Sequence, residues 1–145
     1  METISSFMDK DHALIEKLWN GFVDSHEGED SHKEHFDKFY KNFTRHLSLE
    51  ENFLFPRLDK YLGMKGEPSI TVLAKQDHEG LLKLINLMQK NVNLDNHKKV
   101  LFYQKNFTKA LKKHLKREIE MHYSICDAFI LKEEWQEMLK KQRKK

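Results

Sequence analysis

Apolar residues recur at three- and four-residue intervals along most of the 145-residue chain. Ile4, Met8, Ile15, Trp19 and Phe22 form one such stripe, and His12 falls on it. The pattern predicts a first helix from Ser5 or Ser6, either of which can cap it, to about His26. Gly28, Glu29 and Asp30 close that segment. A second helix is expected from Asp30 or Ser31 to about Tyr61, with Phe36, Phe39, Phe43, His46, Glu50, Phe53 and Leu54 on its stripe. Pro56 lies inside this pattern and removes one backbone donor, so a kink is expected about one turn past Glu50. Gly63 to Pro68 reads as a loop, and Ser69 as the cap of a third helix bearing Ala74, His78, Leu81, Ile85, Met88 and Val92. A polar break at Asn91–Asn96 precedes a fourth helix, with Val100, Tyr103, Phe107, Leu111, His114, Glu118 and Ile125 on one face. A last amphipathic piece runs from Phe129 to Leu139 and carries Trp135.

Four long amphipathic helices with short connections predict an all-α fold, an antiparallel up-down four-helix bundle with a short C-terminal helix. One domain over 1–145 is expected, with the bundle at about 4–125 and the helical extension at about 127–141. Two prolines and five glycines favour long helices. The single cysteine, Cys126, excludes an internal disulfide and any multi-cysteine zinc site, and reads as a core filler. Met1-Glu2-Thr3-Ile4 begins no secretory signal pattern, and no apolar run approaches the roughly 20 residues of a membrane span. A cytoplasmic protein is the expectation. Net charge is +3, from 26 basic and 23 acidic residues, which selects no nucleic-acid or membrane partner. The basic end, Lys140-Lys141-Gln142-Arg143-Lys144-Lys145, reads as a frayed, solvated terminus.

The chemistry lies in a half-motif that occurs twice. Asp11-His12 is followed by His46-Leu47-Ser48-Leu49-Glu50, and Asp77-His78 by His114-Leu115-Lys116-Arg117-Glu118. The lone His precedes its partner by 34 residues in one half and 36 in the other. His46 and Glu50 are four apart, as are His114 and Glu118, so each pair shares a helix face, and that face is the apolar stripe. Counted along the helices, His12, His46, His78 and His114 fall at similar depth, so all four can share one layer. Buried ionised carboxylates need compensation, and a cation held with neutral imidazoles supplies it. Six donors, His12, His46, Glu50, His78, His114 and Glu118, exceed one tetrahedral zinc. They suit a dinuclear site bridged by Glu50 and Glu118, for which iron, manganese or zinc all fit. Asp11, Asp77 and His122 are candidates for partners of the ligand imidazoles. Glu51 reads as a helix-surface charge, and His26, His32, His35 and His97 as solvated. Tyr40, Tyr103 and Tyr123 read as core aromatics with the hydroxyl at the edge.

This ordered set, with Glu51-Asn52-Phe53-Leu54-Phe55-Pro56-Arg57-Leu58 after the first pair, resembles the hemerythrin-like (HHE) domains over about residues 4–125. The resemblance implies two non-haem iron ions, oxo- or hydroxo- and carboxylate-bridged, held by the six residues named above. It implies binding or sensing of a small diatomic ligand, O2 or NO, at an open buried site. The alternatives are a redox enzyme reducing peroxide or NO, with a reducing or signalling protein partner, and iron storage or donation. Two departures direct the expectation away from the oxygen carriers. Ala74 and Leu82 flank His78 where the carriers have a second His, and position 119 is Ile where they have Asp. The chain starts almost at its first helix, without the cysteine-bearing N-terminal domain of members linked to iron–sulfur repair.

Overall fold

Helices occupy nearly all of the computed structural model, which describes residues 3–25, 30–62 and 70–143, with no strand among them. The α-helices are α1 (Ile4–Asp24), α2 (Asp30–Leu49), α3 (Phe55–Leu62), α4 (Ile70–Asn93), α5 (His97–Arg117), α6 (Tyr123–Phe129) and α7 (Lys132–Arg143). Two five-residue π-turns, Glu50–Leu54 and Glu118–His122, join α2 to α3 and α5 to α6. The molecule is therefore a bundle of four long helical rods with α7 packed at one end.

Side-chain pairs fix the antiparallel order. Along α1, Ser5 contacts Asp127, His12 contacts Tyr123 and Trp19 contacts Thr108, so rising numbers meet falling ones. Asp11 meets His46 while Phe22 meets His32, which runs α2 against α1. Tyr40 bonds Asn86 and Glu51 approaches His78, which runs α4 against α2.

Local chemistry sets the helix ends, in part differently from expectation. The cap of α1 is Thr3, whose side chain accepts from the Ser6 backbone N–H, rather than Ser5 or Ser6. The helix stops at Asp24, where the Ser25 hydroxyl donates to the Phe22 carbonyl at 2.5 Å. His26 and the Gly63–Ser69 loop and cap lie outside the described residues. Between α4 and α5, Asp95 takes the left-handed region at φ 55°, and the Asn96 N–H returns to the Asn91 carbonyl at 2.9 Å. That is a Schellman closure, followed at once by Asn96 capping α5 through Lys99 N–H.

The expected proline kink is a π-turn that opens at Glu50 itself. Proline is not its general cause, because the second half opens the same turn at Glu118 without one. The fourth helix is likewise interrupted rather than continuous to Ile125. Phe129 ends α6, Ile130 is extended, and α7 begins at Lys132 and holds Lys140–Arg143 in helix. The basic end is thus ordered through Arg143, with Gln142 donating to the Arg45 carbonyl at 3.3 Å.

The apolar interior is in two parts. One is aromatic: Trp19, Phe22, Phe36, Phe39, Phe43 and Phe107, closed by leucines on α4 and α5. Burial of each such ring contributes about 1.5–3 kcal/mol. His32, expected in solvent, packs its ring against Phe22 at 4.6 Å and bonds the Ser25 hydroxyl, so it is buried with this cluster. The other part gathers Ile4, Met8, Leu54, Phe55, Tyr123 and Cys126 beneath α7, which contributes Trp135 and Met138. Between the two lies a polar layer, because every rod places histidine between its apolar runs. No helix among the described residues is long and apolar enough to cross a membrane.

Candidate metal centre

The polar layer contains all six residues singled out by spacing. His12, His46, Glu50, His78, His114 and Glu118 are each at most 4% exposed. Their donor atoms form two overlapping groups, Glu50–His78–His114–Glu118 and His12–His46–Glu118, each within 4.8 Å. Glu118 Oε1 lies 3.4 Å from His12 Nε2, 3.3 Å from His46 Nε2 and 3.1 Å from His114 Nε2. Glu50 Oε1 lies 3.1 Å from His46 Nε2 and 3.5 Å from His78 Nε2. Each carboxylate thus reaches imidazoles from both halves of the chain, the disposition a bridging ligand requires.

The imidazoles turn Nε2 inward, and the Nδ1 atoms of His46, His78 and His114 meet carboxylates, whereas His12 Nδ1 makes no hydrogen bond. His46 Nδ1 donates to Asp11 Oδ2 at 2.7 Å, and Arg45 holds the other Asp11 oxygen. His114 Nδ1 lies 3.8 Å from Asp77 Oδ2, which Arg117 also binds. His78 Nδ1 lies 3.5 Å from Glu51 Oε1. Asp11 and Asp77 therefore each face a histidine on a neighbouring helix, as their repeated position suggested. Glu51 is turned to the site rather than being a plain surface charge. His122 is buried against Phe55, outside both donor groups.

Tyr123 departs most from expectation. Its hydroxyl is not at the core edge but inside the layer, 2.8 Å from His12 Nε2 and 3.5 Å from His46 Nε2. It donates to Glu50 Oε2 at 3.2 Å. The π-turn is responsible. In an α-helix the fifth residue on is rotated about 140° from the first, whereas an i→i+5 turn stacks them. Tyr123 is the fifth after Glu118, and its N–H bonds the Glu118 carbonyl. The sequence held this signal only as a matched pair, Phe55 after Glu50 and Tyr123 after Glu118. Nothing in the spacing marked Arg45 or Arg117.

The electrostatics express a demand for positive charge. Burial alone would lower the His46 pKa, yet Glu50 and Asp11 outweigh it and raise it to about 9. Burial would raise Glu50, but the His46 and His78 imidazoles hold it well below the carboxylate range. His12 is pushed down to about 4 and His114 to about 3, mainly by burial. Burial, then the Glu50 charge, raises the Tyr123 phenol well above its ordinary value. His78 Nε2, His114 Nε2, Glu50 Oε1 and Glu118 Oε2 make no hydrogen bond although buried. Buried polar atoms left so are costly, and a cation at the centre would satisfy them together. The donors are nitrogen and oxygen without thiolate, since Cys126 packs in the apolar cluster. The residues fit a transition-metal centre.

Among families of known domains, the one described as the hemerythrin HHE cation binding domain matches residues 3–126. Comparison with curated proteins and with solved structures yields no significant match.

Proposed function

The chain belongs to the hemerythrin HHE cation-binding domain family, and from that premise we propose that it holds a pair of non-haem iron ions and binds or senses a small diatomic ligand, O2 or NO. His12, His46, Glu50, His78, His114 and Glu118 are the ligands in this reading, within one domain made of the bundle and α7. One observation carries it: both buried carboxylates reach imidazoles of both halves, with inward polar atoms lacking hydrogen bonds. Two carboxylates among neutral imidazoles leave a dinuclear centre short of six-coordination, so the site has room for an external ligand.

The iron pair, when bound, supplies the reversible electron transfer that diatomic binding needs. The protein supplies the rest. Asp11 fixes the His46 tautomer by accepting from Nδ1, leaving Nε2 to the site. The aromatic cluster on one side and the α7-capped cluster on the other exclude water. A dry surround limits solvent access to the centre and so slows autoxidation. The test is metal content and optical spectra of reduced, air-exposed and NO-treated protein. The reading requires near two irons per chain and reversible spectral change on ligand addition. Sustained reduction of peroxide or NO with a chemical reductant would mark the centre as an enzyme instead. Iron delivered to an acceptor protein would mark a donor.

A further inference from the structure

The repeat that builds the site breaks at one position, five residues past each carboxylate. Glu118 is followed there by Tyr123, and Glu50 by Phe55. Both π-turns bring that residue against a lone histidine. Tyr123 lies 5.3 Å from the His12 ring, and Phe55 stacks on His78 at 5.5 Å. The two rings are equivalent in place, but only one carries oxygen.

We propose that the Tyr123 phenolic oxygen is a seventh protein ligand, closing the His12/His46 side of the centre, so that the external ligand binds on the His78/His114 side. This rests on the dinuclear reading above. Ligand atoms about 2.1 Å from one metal and at right angles stand about 3 Å apart. Tyr123 Oη is 2.8 Å from His12 Nε2, 3.2 Å from Glu50 Oε2 and 3.5 Å from His46 Nε2. Those spacings match the 3.1–3.5 Å between the carboxylate and imidazole donors themselves. The phenol is buried. Ligation exchanges the O–H bond for an oxygen–metal bond and releases one proton to solvent, a reversal that a cation's own charge makes favourable.

The opposite side borders a cleft. Phe55 offers no donor to His78 and His114. A cleft of ≈ 310 Å³ between α4 and α5 is lined by Asp77, Gly80, His114 and Arg117. Gly80 lines it beside open space, since a Cβ there would meet no atom within 4 Å.

The experiment is ferric loading of the full chain, with iron content, visible absorption and resonance Raman spectra. The proposal expects a phenolate-to-iron charge-transfer band with tyrosine ring modes, lost in Tyr123→Phe at unchanged iron content. In Tyr123→Phe/Phe55→Tyr the band returns, carried from the other side. With inorganic azide as probe, Gly80→Phe slows uptake severalfold and leaves the Tyr123 band intact. Iron bound without tyrosine ring modes in the wild-type protein overturns the proposal and leaves the iron reading standing. That wild-type spectrum decides the point even if a variant fails to fold. Ring modes surviving Tyr123→Phe, or azide uptake indifferent to Gly80→Phe, also contradict it. No iron bound at all removes both readings.

Discussion

Asp11 and Asp77 hold the same place in the two halves of the chain, each just before a lone histidine and each paired with an arginine. Asp11 sits 2.7 Å from His46 Nδ1 and is buried; Asp77 sits 3.8 Å from His114 Nδ1 with a third of its side chain exposed. The residues after the carboxylates diverge further. Glu51 turns to His78, whereas its counterpart Ile119 is half exposed. Tyr123 brings oxygen to His12, whereas Phe55 brings only a ring to His78. The comparison teaches that equal spacing gives equal donor positions but not equal surroundings. The inward donors are set by helical register, which the repeat conserves. The tuning comes from residues one and five positions on, which it does not.

The largest expected effect comes from removing what the halves share. Glu118→Ala takes away the oxygen within 3.4 Å of three imidazole nitrogens, so metal content should fall toward zero. His12→Ala and His78→Ala each touch one half and should leave a single ion, which elemental analysis will distinguish. Next come the outer carboxylates. Asp11→Asn should weaken metal affinity by about 10–100-fold, the usual cost of losing such a partner. Asp77→Asn, at the looser contact, should cost less; equal losses by competitive chelation would erase the asymmetry.

A smaller effect concerns pH in metal-stripped protein. His12 at about 4 and His114 at about 3 are held neutral by burial. The stability they guard is present above their ordinary value and is lost as pH falls toward those figures. Glu50, whose pKa is lowered, adds acid-side loss of the same sign. His46, raised to about 9, works oppositely: its contribution is complete below its ordinary value and disappears as pH rises through 9. Thermal melts should therefore peak near neutrality and fall on both sides, and a monotonic profile would contradict this balance. The smallest effect lies away from the site. Thr3→Ala removes the α1 cap and should cost about 1 kcal/mol without altering metal content.

The bundle, its antiparallel order and the convergence of His12, His46, Glu50, His78, His114 and Glu118 in one buried layer were legible because each follows from a 3.6-residue period read against burial. His46 and Glu50 needed only their four-residue spacing and the phenylalanines beside them. What stayed hidden depends on backbone departures from that period. The π-turns at Glu50 and Glu118 have no consistent proline mark, since one is followed by Phe55-Pro56 and the other by Tyr123-Ser124. Tyr123 was misplaced for that reason, because an α-helix would have turned it aside. His32 was misread because its partners, Phe22 on the first helix and Ser25 just past that helix's end, lie outside its own helix.

The central claim is that two repeated halves close on one two-ion centre. Anaerobic titration of the metal-free chain with ferrous iron, followed to its inflection, tests it most directly. The account predicts an end point at about two ions per chain, dropping to none in the His46→Ala/His114→Ala variant, because each donor group then keeps a single imidazole. An end point of zero or one in the wild-type chain, or two ions retained by that double variant, would contradict it.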